Sequence, residues 1–395
     1  LKSCQRIWGD KRESKSMRKD IIVIVKDKLM SVDTVIPILI ELKENYGISS
    51  TVMVDGELAH RGINENIVLR DAIDYVGLEL FFGSSSPYRF LRKLNKIKWL
   101  IFITWKLIIG TKILHFGIFT VFPFSFIGKF FLKNLYFLQS DSFKHSYGKF
   151  DEVVNQNPCT ISPIGNNIVA FNNGMRHLKI LNDSQKVFMF GATRVRKSWI
   201  NYIGKRSEYY FQKYHNNVDF SKGCIILILS YFGRLPAQRI PNDSISIVFK
   251  KTIEVLNKEK GDLPVLLKPH VFTDLDIVNK EIYDKDDFHI TYLHPTVLAS
   301  KAKVFICNTY STTMADAYSL GVRTVEYSDY SSDVLQISGG KSQGYEYIDK
   351  FINNDKNKFK KKIKSILSTK SFGINSHIIK DVNTDAEKLL TNLSK

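Results

Sequence analysis

Three neighbouring hydroxyls, Ser311, Thr312 and Thr313, stand between an apolar run (Val304 to Cys307) and a helix pattern closed by Gly321. A second strand pattern (Thr324 to Tyr327) follows. The order strand, hydroxyl-rich turn, helix, strand sets alcohols and free backbone N–H groups at a helix N-terminus, where the dipole favours an anion. Ser and Thr also cap helices that bind nothing, so the segment gains weight only from a second one upstream. Leu266-Leu267-Lys268-Pro269-His270 ends a strand pattern with a lysine and a histidine at its carboxyl tip. In a parallel sheet both tips lie on the edge where ligands bind. A cation or an imidazole there neutralises a diphosphate or a leaving phosphate. The chemistry this predicts is phosphate binding, and with it a nucleotide-linked substrate.

Two α/β units must position these residues. Ile21 to Val25 reads as a buried strand, Val32 to Lys43 as a helix, and Ser50 to Val54 as the next strand. This βαβ opening predicts a doubly wound sheet. No GxGxxG joins its first strand to its helix, so no dinucleotide fingerprint is present. Lys112 to Gly117 reads as a strand ending in His115, and Leu135 to Leu138 as another, followed by Gln139, Ser140 and Asp141. Residues 161–171 are apolar and run into the turn Asn172-Asn173-Gly174. From Val187 to Tyr214 the pattern turns helical and basic, which places an interdomain region near 172–222. A second sheet domain follows, with strands at Cys224 to Ser230 and Pro264 to Lys268 around a helix at Ser244 to Lys258. A Lys-rich amphipathic helix is expected over 356–370. The fold class read from this pattern is α/β, with two Rossmann-like doubly wound domains facing a cleft. The expected division is a disordered leader at 1–16, an N-terminal Rossmann-like domain at 17–190 and an interdomain segment at 191–221. A C-terminal nucleotide-binding domain at 222–375 and a C-terminal helix at 376–395 complete it.

The chain has 395 residues and a net charge of +18, so its partners are expected to be anionic: nucleic acid, anionic lipid or phosphorylated small molecules. Nucleic acid is set aside because no zinc finger, RNP motif or recognition-helix pattern occurs. Cys4, Cys159, Cys224 and Cys307 form no CxxC pair and no zinc-ligand spacing, and Cys224 and Cys307 sit inside apolar runs, which fits a reducing cytosol. The first twenty residues are polar and charged and carry no secretory signal pattern. Residues 80–140 contain no Asp or Glu, nine Lys or Arg, and many Phe and Trp. An anionic membrane surface attracts that composition. A span is disfavoured, because the longest apolar stretch, Ile113 to Leu132, is broken by His115, Pro123 and Lys129.

The pairing of Lys268-Pro269-His270 with Asn308-Thr309-Tyr310-Ser311-Thr312-Thr313, a helix and Leu320-Gly321 resembles the nucleotide-binding half of GT-B glycosyltransferases of bacterial capsule and lipopolysaccharide synthesis. It is similar to the phosphate-binding turn of CDP-glycerol and teichoic-acid polymerases and to the His and Ser motifs of sialyl- and Kdo-transferases. UDP-GlcNAc 2-epimerases share the fold and a similar helix start. The resemblance in motifs covers about 225–330; over 17–150 it is architectural. It implies donor phosphate on Ser311, Thr312 and Thr313, the leaving nucleotide on His270 with Lys268, and the nucleotide ribose on Asp316. The chain departs from the pattern at Val322-Arg323, where a proline is usual, and it lacks the Asp-Asp-Gly or Glu-Asp-Gly of sialyltransferases. Arg234, after the first strand of the second domain, is a further phosphate candidate.

An inverting transfer needs a general base near the acceptor hydroxyl. The candidates are Asp27, Asp33, Asp55, Glu57, His115 and Asp141, with His115 first and Asp141 next. No metal and no cofactor other than the nucleotide-activated donor is expected. The implied function is metal-independent glycosyl (or polyol phosphate) transfer to a surface-polysaccharide or lipid-linked acceptor, by a cytoplasmic protein peripheral to the inner face of the plasma membrane. The alternatives are a UDP-GlcNAc 2-epimerase-like enzyme and a non-catalytic GT-B scaffold subunit.

Overall fold

Short runs of Ile, Val and Leu with no polar alternation form strands covered on both faces. Ile21–Val25 and Cys224–Ile228 are buried along their whole length and lie inside two separate sheets. The computed structural model describes residues 20–25, 29–81, 89–139, 163–172, 185–229, 242–270, 273–375 and 384–395. The leader at 1–16, Asp27, Asp141 and Arg234 lie outside the described residues.

The first sheet contains β1 (Ile21–Val25), β2 (Ser50–Val54), β3 (Gly77–Phe81), β4 (Lys112–His115), β5 (Leu135–Leu138), β6 (Asn167–Ala170) and β7 (Lys186–Met189). Its order is β3-β2-β1-β4-β5-β6-β7, and every neighbouring pair is parallel. The second contains β8 (Cys224–Ile228), β9 (Val265–Lys268), β10 (Phe288–Ile290), β11 (Ala302–Cys307), β12 (Arg323–Ser328) and β13 (Lys350–Asn353). Its order, β10-β9-β8-β11-β12-β13, repeats the first, again all parallel. Both sheets reverse direction of growth once, between β1 and β4 and between β8 and β11. Ligand crevices of doubly wound sheets open at such reversals, past the carboxyl ends of the strands.

The helices are α1 (Leu29–Tyr46), α2 (Glu57–Glu65), α3 (Ile67–Val76), α4 (Arg89–Ile108), α5 (Phe124–Gly128), α6 (Lys197–Gly204), α7 (Ser207–Tyr214) and α8 (Asn242–Glu259). They continue with α9 (Leu275–Ile282), α10 (Pro295–Ala299), α11 (Thr312–Ser319), α12 (Ser332–Ser338), α13 (Lys356–Leu367) and α14 (Thr384–Ser394). The strand at Lys186–Met189 corrects the helical reading of the chain from Val187: four residues at a sheet edge are too few to show a period of two. The expected amphipathic helix over 356–370 forms as α13, with Phe359, Ile363 and Ile366 buried and its lysines on the outer side.

One face of the first sheet, with Ile22, Ile24, Met53 and Ile113, is covered by α4 through Trp99, Ile103 and Leu107 and by the segment around Phe119. The opposite face, with Val23, Val25, Val52 and Leu114, packs on α1 and α3 in a core that runs through α6 and α7 into the second domain. From Asn375, whose N–H still bonds the second domain at Leu320 O (2.9 Å), the chain returns to the first domain as α14. There Leu389, Leu390 and Leu393 are buried and the Lys112 amine donates to Asn392 O.

Candidate active site at the domain junction

Four ionisable side chains from distant parts of the sequence meet between the two sheets. Asp33 comes from the second turn of α1 and Arg194 from the 3-10 turn Thr193–Val195 before α6. His294 comes from the loop after β10, and Asp316 from α11. Arg194 Nη1 donates to Asp33 Oδ2 at 2.6 Å, and its Nε lies 2.9 Å from Asp316 Oδ1. His294 Nε2 bonds Asp33 Oδ1. Asp33 follows β1 and His294 follows β10, so the carboxyl edges of the two sheets face each other across this contact.

Local sequence explains the placements. His294 precedes Pro295, which starts α10 with a fixed φ, and the ring caps that helix: Nδ1 accepts the Thr296 N–H at 3.1 Å. An imidazolium has no lone pair to accept with. The ring is therefore neutral, in agreement with burial lowering its pKa, and Nε2–H is the donor to Asp33. Burial alone would raise the Asp33 carboxyl. The electrostatic pull of His294 and of the Arg194 charge, with a hydrogen bond from each, overcomes it and holds Asp33 ionised, below the usual carboxylate range. Asp316 is fully buried and has only the Arg194 guanidinium to offset burial, so its pKa rises to about 7. Lys268 joins the cluster from the tip of β9. Its amine donates to Leu293 O at 2.9 Å, and burial lowers its pKa to about 8 against the pull of Asp33.

The hydroxyl segment lies on the same edge. Ile228 pairs with Lys268 on one side and with Cys307 on the other. The tips of β9 and β11 therefore stand two strand spacings apart, roughly 10 Å. Ser311 caps α11 by accepting the Thr313 N–H at 3.4 Å, and Ser311, Thr312 and Thr313 are all half-buried. The turn before them is anchored from below. Asn308 Nδ2 donates to Thr252 Oγ1 (2.8 Å) and to Tyr327 O (3.0 Å). Tyr310 N–H donates to Tyr330 Oη at 3.3 Å, and Tyr330 in turn donates to the buried Glu326. Ser342 donates to the other Glu326 oxygen and accepts the Gly344 N–H at 3.0 Å. Burial raises the Glu326 carboxyl to about 7 in spite of those two hydroxyl donors. Gly344 is required here: a Cβ would lie 1.8 Å from Cε2 of Tyr310.

Lys268, Ser311, Thr312, Thr313 and Asp316 thus gather on one edge, and His270 stands exposed two residues beyond Lys268 on the same side. Asp316 differs in environment from the ribose ligand expected of it, since its carboxylate is covered and turned toward Arg194. His115 stands apart from the open edge where a general base is expected. It ends β4 as read, yet it is wholly buried: Nε2 donates to Ile164 O at 2.9 Å and Nδ1 accepts the Gly117 N–H at 3.2 Å. The segment after Gly117 folds over the strand end, and the rings of Phe119 and Phe137 close on the imidazole edge-on. Asp55 and Glu57 are exposed after β2 and have no part in the junction. Arg194 and His294 were invisible as site residues: each is a lone side chain outside any motif, and only the fold joins them to Asp33. Among the described residues no group of three His, Cys, Asp or Glu is placed to hold a metal ion. An open groove of about 570 Å³ lined by Ile200, Ser300 and Phe372 lies on the amino edge of the second sheet, away from this cluster.

No family model and no curated protein matches the chain. Solved structures do. UDP-GlcNAc 2-epimerase from Methanocaldococcus jannaschii overlays with a TM-score of 0.54 at 14% identity, covering 95% of this chain and 99% of that one. Another UDP-N-acetylglucosamine 2-epimerase gives 0.52 at 13%, covering 96% and 91%. A glycosyltransferase from Rickettsia africae overlays less well, at 0.47 and 14%, covering 96% and 94%. At such identities the likeness is one of fold: the chain has the two-domain GT-B architecture along nearly its whole length.

Proposed function

We propose that the chain is a sugar-nucleotide enzyme, and specifically a metal-independent glycosyltransferase that moves a sugar or polyol phosphate from a nucleotide-activated donor to a surface-polysaccharide or lipid-linked acceptor. One observation carries this reading: the capped N-terminus of α11, with its three hydroxyls, opens at the strand-order reversal of the second sheet, on the edge that also holds Lys268 and faces the first domain. Backbone N–H groups and alcohols there would hold the donor phosphates, and the Lys268 amine would offset charge on the departing nucleotide. His270 stands next in line for the same leaving group. The acid-free basic and aromatic segment of the first domain supports an acceptor presented at the cytoplasmic membrane face. Among the described residues no helix is long and apolar enough to cross a membrane.

A second reading, sugar-nucleotide 2-epimerisation, is favoured by the overlay with 2-epimerases across both domains, one of them solved with UDP-GlcNAc and UDP at a TM-score of 0.51 and 14% identity. A single experiment separates the two. Purified protein is mixed with CMP-, CDP-, UDP- and GDP-sugars, with and without a lipid-linked acceptor, and followed by NMR. Nucleotide release that requires acceptor and falls at least tenfold in Ser311→Ala and Lys268→Ala supports transfer. Conversion of UDP-GlcNAc to its 2-epimer without acceptor supports the second reading. Silence and no thermal stabilisation across the panel reject both.

A further inference from the structure

The outer surface of α4 carries an apolar stripe that no described residue covers. Phe90, Leu94, Ile97, Ile101, Trp105 and Ile108 recur at helical spacing and are all exposed, while Trp99, Ile103 and Leu107 on the opposite side fill the core. At 1.5 Å per residue the stripe is about 27 Å long. Phe122, Phe126 and Phe130 add a second exposed apolar group, at 81%, 61% and 69% exposure. Their neighbours Phe124, Ile127 and Phe131 pack into the same core layer as the inner face of α4. Both groups therefore look outward from one side of the first domain. Soluble monomers rarely leave so much contiguous apolar surface uncovered.

We propose that this side of the first domain is a docking surface for an anionic phospholipid bilayer, with α4 lying in the plane of the headgroups and the Phe122–Phe130 segment around α5 as a second point of entry. The proposal deepens the membrane-side acceptor reading and rests on it only for its purpose. Charge selects the occupant. Residues 80–140 hold nine basic and no acidic side chains, and Lys96, Lys98, Lys129 and Lys133 are exposed around the apolar groups. Lys106 lies 5.3 Å from the Trp105 ring and also meets Asp20 at 3.8 Å. A second copy of the chain would fit worse: a two-fold interface sets a surface against itself, so this one would oppose its exposed lysines to one another. Lipid phosphates supply the opposite sign, and aromatic rings settle at the headgroup level.

The test is flotation of the full chain with vesicles of phosphatidylglycerol and phosphatidylethanolamine, against phosphatidylcholine alone. Binding to the anionic vesicles, weak binding to neutral ones and loss in high salt are expected. The pair Ile101→Glu and Trp105→Glu should cut the bound fraction about tenfold or more, with an unchanged thermal midpoint because both side chains are exposed. Phe126→Glu with Phe130→Glu provides an independent second variant. The proposal is overturned if wild type ignores anionic vesicles or if both double variants bind as wild type does. It is also overturned if light scattering finds a dimer that the α4 variant dissolves, which would make a second copy the occupant. Flotation needs no donor, whereas turnover of soluble donor needs no vesicle, so this proposal and the transferase reading can fail separately.

Discussion

Arg194 bridges two carboxylates from different domains, half-buried Asp33 and buried Asp316, and that position sets its expected cost of removal. Arg194→Ala leaves Asp33 and Asp316 buried without their charge partner, a loss of about 3–5 kcal/mol for a broken buried pair. Urea unfolding should show it, and a loss below about 1 kcal/mol would mean that the guanidinium is solvated rather than buried. The titrations predict a pH dependence of opposite signs. Asp33, held low, contributes stability above its unfolded value that is lost as pH falls into the acid range. Asp316 and Glu326, raised to about 7, bind protons more tightly folded than unfolded. For them the native state holds the extra proton between roughly pH 4 and pH 7, so stability falls as pH rises through that window. Glu326→Gln should flatten part of that slope in melts taken at successive pH values; an unaltered slope would place the effect elsewhere. At this scale the sequence was legible in part. Lys268 and the hydroxyls could be placed because each sits at the end of an apolar strand run. Asp33 was one base candidate among six. Arg194 and His294 could not be placed, since positions 33, 194, 294 and 316 share no local pattern, and His115 misled because a strand end is exposed only when no loop folds over it.

The elements themselves were easier to read than their contacts. Ile21–Val25, Ser50–Val54 and Leu135–Leu138 stand where the apolar runs put them, because strands of a parallel sheet are apolar on both faces and need no alternation to be recognised. The site's own element, the turn from Asn308 to Ser311, depends on a support that no short motif announces. Glu326, Tyr330, Ser342 and Gly344 lie beneath it, up to 36 residues later in the chain (Asn308 to Gly344). Gly344→Ala should therefore displace Tyr310 and abolish donor-induced thermal stabilisation while the first domain melts as before. Normal donor response in that variant would show that the turn tolerates the shift. Ser311→Ala removes the α11 cap, which is expected to lower stability by about 1 kcal/mol; a larger loss in chemical denaturation would point to a wider role in packing.

Across the molecule, two sheets that share one order over six strands, the first with a seventh at its edge, are joined by the stretch carrying Arg194, Arg196 and Trp199. Arg196 clamps Glu41 of α1 through two hydrogen bonds (2.5 and 2.6 Å), and Trp199 Nε1 donates to Thr296 Oγ1 of α10 at 3.0 Å. The connector thus grips both domains at once. The order of strand and helix patterns predicted two doubly wound domains; it could not disclose that α14 packs on the first domain, because eleven mixed residues carry no address. Leu393→Ala should cost about 2–5 kcal/mol as a buried truncation and speed amide exchange in β7 and α1 ahead of the second domain. Uniform exchange in both domains would contradict that docking. The return of the chain has a mechanical result. Two polypeptide crossings, one before β8 and one before α14, tie the lobes together like a door hung on a pair of pins. A second covalent tie between two bodies removes rotations that a single linker leaves free.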